Sequence, residues 1–246
     1  MNDTVARAVN DAQVLERLLA DRWSCRGFTD EQVPRDVIER LLTIAQRTPS
    51  WCNVQPWQLV ITSGEETVRL KEALLESFDP SRPHGSAAGG TPGSGHAGGS
   101  DFDFPTSYNG VYRERRRESG WQLYDAVGVA KGDREASALQ MLRNFEFFGA
   151  PHAAIITTDA DLGVYGAIDC GLYVESFLLA AQALGLGACA QAALAAGSPF
   201  LHEYFDLPET RKVVCGIAFG YADPDHPTAT YRTSRASLDE VVTFVG

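Results

Sequence analysis

Cysteine pairs at the spacing of a metal or redox centre are missing from this sequence. Its five cysteines, Cys25, Cys52, Cys170, Cys189 and Cys215, never form a C-x-x-C pair, and their number is odd. That excludes a C-x-x-C zinc or dithiol motif and argues against a disulfide framework. A reducing cytoplasm is the expected location. Excess positive charge is missing too: 21 Lys and Arg stand against 32 Asp and Glu, for a net charge of -11. Duplex nucleic acid or an anionic bilayer would repel such a chain on average, so neither is expected as a partner. Long apolar runs are also scarce. Residues 1–22 interleave Asp and Glu with apolar residues and lack the continuous apolar centre of a secretory signal. The most apolar stretch, 177–190, is short for a membrane span and carries Gln182, Gly185 and Gly187. There is no internal repeat, and no G-x-G-x-x-G follows a strand pattern, so a dinucleotide-binding fold is not supported.

What is present is an ordinary globular composition: 246 residues, 44% hydrophobic and 22% charged. The length suits one domain, 1–246, carrying an insertion, and it buries a core without crosslinks. The insertion is residues 81–100, where Gly, Ser, Ala and Pro dominate and no apolar residue recurs periodically. Such a stretch cannot bury enough surface to offset the entropy of ordering and is expected to be a flexible surface segment. Its His84 and His96 have no carboxylate or thiol between them, so no metal site is expected.

Outside the insertion, apolar periodicity predicts helices over 14–20, 36–47, 65–77, 135–147 and 199–205. A capping box is read at Thr29–Gln32, with Pro34 in the first turn of the second helix. Residues 168–184 are apolar on nearly every face, which predicts a helix in the middle of the protein or at a subunit interface, closed by Gly185. Ser198 reads as an N-cap. Strands are expected over 57–62, 152–158, 212–221 and 238–245. Helices outnumber strands and do not alternate with them strictly, which favours an α+β sandwich over a doubly wound parallel sheet.

Three clusters carry chemistry. In Arg22-Trp23-Ser24-Cys25-Arg26, an extended backbone would place Arg22, Ser24 and Arg26 on one face. Two guanidinium forks and a hydroxyl suit a phosphate. In the second, Pro49-Ser50-Trp51-Cys52-Asn53-Val54-Gln55-Pro56-Trp57, two prolines stiffen the backbone while Ser50, Asn53 and Gln55 offer short polar groups between tryptophans. Such a segment can hydrogen-bond the edge of a heteroaromatic ring and exclude water. The third, Arg232-Thr233-Ser234-Arg235, repeats the phosphate-binding chemistry far away in sequence.

The order of these clusters resembles the FMN-dependent nitroreductase family: R-x-S-x-R, then P-S-x-x-N-x-Q-P-W. Residues 185–194 resemble that family's strand beside the flavin, and 143–151 resemble the segment entering its second core strand. Residues 216–221 followed by Arg235 and Leu238-Asp239-Glu240-Val241 resemble its C-terminal pattern. The resemblance implies a nitroreductase-like α/β sandwich, a mixed central sheet flanked by helices, in an intertwined homodimer. It implies FMN held by Arg22, Trp23, Ser24, Arg26, Thr233 and Arg235, with Pro49, Ser50, Trp51, Asn53 and Gln55 reaching over from the partner subunit. Gln191 and Ala192 would lie along the ring. This chain has Ala192-Ala193 where several members have an acidic residue and glycine, and Thr233 where some have lysine.

The implied activity is NADH- or NADPH-dependent reduction of a small nitroaromatic or quinone-like acceptor in a ping-pong cycle, with no obligatory acid–base side chain. Residues 108–131 would cover the acceptor, with Tyr108, Tyr112, Trp121 and Tyr124 as aromatic surface and Arg113–Arg117 as positive charge. Other readings fit the same residues. A reductive dehalogenase would use a Glu-Tyr-Lys lid, for which Glu114, Tyr124 and Lys131 are present. A flavin-dependent oxidase of the same fold and a flavin-binding protein without turnover are the others.

Overall fold

The computed structural model describes residues 3–78 and 99–246, and for residues 3–8 the backbone alone. The 81–100 insertion with its two histidines therefore lies almost wholly outside the described residues.

Four strands form one sheet in the order β1-β2-β4-β3: β1 (Gln58–Ser63), β2 (His152–Asp159), β3 (Gly187–Gln191) and β4 (Arg211–Gly220). All three pairings are antiparallel. The parallel component is an isolated bridge between Ser24 and Ala188 at the β3 edge. The β2–β4 register slips between Ile156 and Thr157, because Ile156 faces Cys215 while Thr157 faces Val213.

Alternation along β2 divides the core. Ala154 and Ile156 point to one face with Ile217 and Phe219, beneath Leu41 of α2 (Arg35–Ala45) and Tyr173 and Phe177 of α6 (Gly163–Ala183). Ala153 and Ile155 point to the other face with Val213 and Ala218. There they meet Leu70 and Leu74 of α3 (Glu65–Ser77), Leu194, and Leu201 of α7 (Ser198–Phe205). Both faces of the sheet are covered, as the α+β sandwich requires. By length and composition α6 could cross a bilayer (mean hydropathy 1.3 over its most apolar 18-residue stretch). Its apolarity has another cause here, since its buried residues pack on α2 and the sheet.

Several expected elements are corrected. The helix read over 135–147 stops earlier, as α5 (Arg134–Leu142); tighter i→i−3 turns follow it, and Phe147 and Phe148 take left-handed φ of 53 and 54 with their rings buried. The first helix is longer than read, α1 (Asp3–Asp21). Thr29–Gln32 forms no capping box. Instead Gln32 Oε1 accepts the Gly64 N–H at 3.1 Å, and α2 begins after Pro34. Ser198 is the first helical residue rather than the N-cap, and its hydroxyl donates back to Ala195 O at 2.7 Å. The expected strand over 238–245 is instead a short helix, α8 (Leu238–Val241). The Ser237–Glu240 pair makes a reciprocal capping box that starts a turn, which outweighs the β-branched composition.

Candidate functional site

The R-W-S-C-R segment leaves the end of α1 and runs along the β3 edge, where Cys25 N donates to Ala188 O at 3.0 Å. Cys25 turns into the core. It sits so close to Gly187 that a Cβ there would lie 2.8 Å from its sulfur. The flanking residues face outward, into a cavity of about 480 Å³ lined by Arg22, Trp23, Ser24 and Arg26 together with Ser119, Tyr231, Arg232, Thr233 and Arg235. The cavity thus joins the first and third clusters of the sequence. No carboxylate lines it, so four guanidinium groups face one space without a countercharge in the wall.

Each guanidinium is placed differently. Arg26 donates to Ser24 O at 3.2 Å and lies over the Phe148 ring at 5.7 Å, so the left-handed turn that enters β2 supports it. Arg232 stacks on the Trp23 indole at 4.5 Å and donates to the carbonyls of Ala229 and Tyr231. Arg235 is held by Thr233 Oγ1 at 2.9 Å and Ser234 O at 2.9 Å. Two donors lack partners although buried: Arg22 Nε and Trp23 Nε1. Behind the arm, a Cβ on Gly27 would fall 2.1 Å from His226 Cγ, so glycine alone permits this close approach.

The P-S-W-C-N-V-Q-P-W segment does not line this cavity within one chain. Its short 3-10 turn, Trp51–Asn53, is anchored by the buried Asp169 carboxylate of α6, both oxygens of which accept the Trp51 N–H at 3.2 Å. Gln55 N donates to Ser50 Oγ at 2.9 Å, and Gln55 Oε1 accepts from Gln46, which in turn holds Trp57. Cys52, Asn53 and Gln55 all have left-handed φ of 48–56°, a cost of about 1 kcal/mol or more each that the anchors offset. The result is a rigid loop whose residues 51–55 are exposed. Gln191 is buried, donating to Asn144 O at 2.7 Å with its Oε1 unpaired, while Ala192 is exposed; neither lines the arginine cavity.

Tyr112, Trp121 and Tyr124 lie on α4 (Gly110–Ala126), and Tyr108 just precedes it. Tyr108 is under Arg116 at 5.1 Å, and Trp121 is under Arg117 at 4.7 Å. Ser119 of α4 lies at the arginine cavity against Tyr231, oxygen to oxygen at 3.4 Å. Of the residues expected for a Glu-Tyr-Lys lid, Tyr124 and Lys131 share one cavity, but Glu114 lies in the adjoining groove. Arg232, read within the R-T-S-R run, lines the cavity. Sequence reasoning missed Tyr231, Ser119 and Asp169, of which Asp169 was signalled by being a carboxylate inside an apolar helix. Nothing marked Ser119 or Tyr231.

Cys25, Cys170, Cys189 and Cys215 stay protonated at neutral pH. Burial pushes Cys25 and Cys170 up to about 11 and Cys215 to about 12, and it raises Cys189 as well. What remains is a cavity lined by four arginines beside an aromatic helix.

The sequence model of the Nitroreductase family matches residues 19–221, a span that holds the first two clusters and all four strands. The chain belongs to the nitroreductase family. It is 33% identical over 237 residues to a 4-nitrobenzoate reductase of Nocardioides sp. (strain LMS-CY), covering 95% of this chain and 90% of that one. It is 31% identical over 231 residues to a chloronitrobenzene nitroreductase of Comamonas testosteroni, covering 94% and 96%. Among solved structures, the FMN-dependent nitroreductase NfnB from Mycobacterium smegmatis in complex with NADPH superposes with a TM-score of 0.84. That match has 30% identity and covers 96% of this chain and 99% of that one. The nitroreductase fold thus accounts for the sheet and its helical layers, and the C-terminal arginines lie beyond the span that the family model matches.

Proposed function

We propose that this chain is an FMN-dependent NAD(P)H oxidoreductase that reduces nitroaromatic or quinone-like acceptors, the donor and the acceptor using one site in turn. The observation that carries it is the carboxylate-free cavity in which Arg22, Arg26, Arg232 and Arg235 converge from the two ends of the chain. FMN fits this donor set: its phosphate dianion supplies the missing countercharge, and the unpartnered Arg22 Nε and Trp23 Nε1 are donors for its oxygens. When bound, FMN supplies the two-electron transfer between donor and acceptor. The chain's own residues bind and orient. Arg235 and Arg22 take the phosphate, Ser24 adds a hydroxyl, and Arg26 sets a positive charge at the ring edge. Tyr108, Tyr112, Trp121 and Tyr124 shelter the acceptor from water.

The reading treats 1–246 as a single FMN-binding domain acting as a homodimer. Val164, Tyr165, Ile168 and Leu172 form an exposed apolar stripe on α6, and Trp51 packs on Tyr165 at 4.4 Å. A second copy covering that stripe would receive Ser50, Asn53 and Gln55 at its own cavity, which explains a rigid loop that serves nothing within one chain. Free thiols on all five cysteines suit a reducing cytoplasm.

The test is the absorption spectrum of the purified protein, with identification of the chromophore released by heat. FMN should be released, NADH or NADPH should bleach it, and Arg235→Ala should weaken its binding by about tenfold or more, the loss of a charge-assisted contact. A protein that is colourless and takes up no added FMN would overturn the reading.

A further inference from the structure

A second cavity, of about 550 Å³, opens between α4 and α5. Trp121 and Tyr124 form an aromatic wall, and Gln122, Ser137 and Lys131 supply donors. Its size is that of a small-ligand site. It is also connected. A groove of about 490 Å³ shares Gln122 with it, and shares Ser119, Thr233 and Arg235 with the arginine cavity. The three concavities therefore run side by side along α4, from the arginine cavity to Trp121.

Two cations meet at this far end. Lys131 Nζ lies 5.4 Å from the Trp121 ring centre and the Arg117 guanidinium 4.7 Å from it. Neither has a carboxylate partner among the described residues, whereas Arg115 on the same helix pairs with Glu240 and Arg69 with Glu66. A cation held against an indole stays uncompensated while its side chain is already ordered, so an arriving anion meets a prepared site. The one carboxylate in this cavity wall, Asp125, is on α4. For a chain of net charge -11, an anionic ligand is repelled on average, and a local pair of free cations is what reverses that repulsion.

We propose that this cavity receives the anionic end of an aromatic acceptor, an aromatic carboxylate in particular, and that Lys131 and Arg117 set the preference for charged over neutral acceptors. The inference rests on the reading of α4 as the acceptor cover. Trp121 and Tyr124 wall the acceptor's ring, Lys131 takes the carboxylate from the cavity wall, and Arg117, held over Trp121 outside that wall, adds positive charge beside it.

The experiment compares kcat/KM for 4-nitrobenzoate and nitrobenzene in the FMN-loaded enzyme, its Lys131→Gln and Arg117→Gln variants, and the charge-keeping Lys131→Arg. Each glutamine variant should lower the nitrobenzoate-to-nitrobenzene ratio about fivefold, the scale of a solvent-exposed ion pair, through the KM of nitrobenzoate. Lys131→Arg should restore it. Raising salt from about 0.05 M to about 0.5 M should lower the ratio in the wild type and leave the double glutamine variant flat. An unchanged ratio, or equal losses on both acceptors, would overturn the inference while leaving nitroreduction standing. If the wild type reduces neither compound, the nitroaromatic part of the proposed function fails. In that case titration with benzoate, which needs no turnover, still decides: the inference stands if the wild type binds it about fivefold tighter than Lys131→Gln and falls if affinities are equal.

Discussion

His152 shows how much one side chain can carry at the residue scale. Its ring is buried at the start of β2 and stacks on Phe219 at 5.1 Å; Nε2 accepts the Val33 N–H at 2.9 Å, and Nδ1 bonds Ser63 Oγ at 2.8 Å. Accepting at Nε2 requires the neutral ring, with the proton on Nδ1. Burial pushes the pKa below the ordinary 6.5. As pH falls below that value the unfolded chain takes up a proton that the folded one resists, so stability declines with acid until the folded value is reached. Urea unfolding should give a lower midpoint at pH 5.5 than at pH 7.5. His152→Gln, which keeps an acceptor but does not titrate, should be less stable at pH 7.5 by about 1 kcal/mol, the scale of one altered hydrogen bond, and less sensitive to acid. Some slope should remain, since burial lowers His226 too. Identical pH dependence in both proteins would remove His152 as a source of acid sensitivity.

At the scale of elements, α4 and the C-terminal arm act on each other. Tyr231 OH reaches Ser119 O at 3.4 Å, Ser234 Oγ donates to Glu118 at 3.3 Å, and Arg115 pairs with Glu240 at 3.6 Å. Each contact is weak and partly exposed, about 0–1 kcal/mol. Together they fasten the helix read as the acceptor cover to the arm bearing Arg232 and Arg235. Loosening them should therefore be felt at the cofactor. Tyr231→Phe combined with Ser234→Ala should raise the FMN dissociation constant about threefold to tenfold with little change in thermal midpoint. Fluorescence titration of apoprotein with FMN measures this, and wild-type affinity in the double variant would mean that the arm is positioned without α4.

At the scale of the whole molecule, α6 carries an exposed apolar stripe. Val164, Tyr165 and Ile168 are each more than half exposed, beside the exposed Trp51. A charge in that stripe should block association. Ile168→Glu should run as a monomer in light-scattering chromatography and lose FMN, because in the proposed dimer Ser50, Asn53 and Gln55 of the second copy would no longer reach the cavity. A monomer that retains FMN at wild-type affinity would separate the 49–57 loop from cofactor binding.

The sequence by itself determined the elements whose signals are local. The apolar faces of α2, α3 and α6 and the β-rich runs of β1, β2 and β4 were legible because helical and strand periodicities are properties of neighbouring residues. The arginine-serine arm was legible as well, since alternation along an extended segment puts Ser24 and Arg26 on one side and Cys25 on the other. The run over 238–245 is a different case: its capping box, Ser237 with Glu240, is local and readable as S-x-x-E, and it outweighs a composition apolar and branched enough for a strand. What tertiary structure alone decided depends on distant partners. Phe147 and Phe148 leave the helical pattern with their rings buried in the core. Arg22 and Arg235 become one site only because the sheet, through the Ser24–Ala188 bridge and the strand β4 that precedes the C-terminal arm, brings the two ends of the chain together, and no local pattern encodes a contact between residues so far apart in sequence.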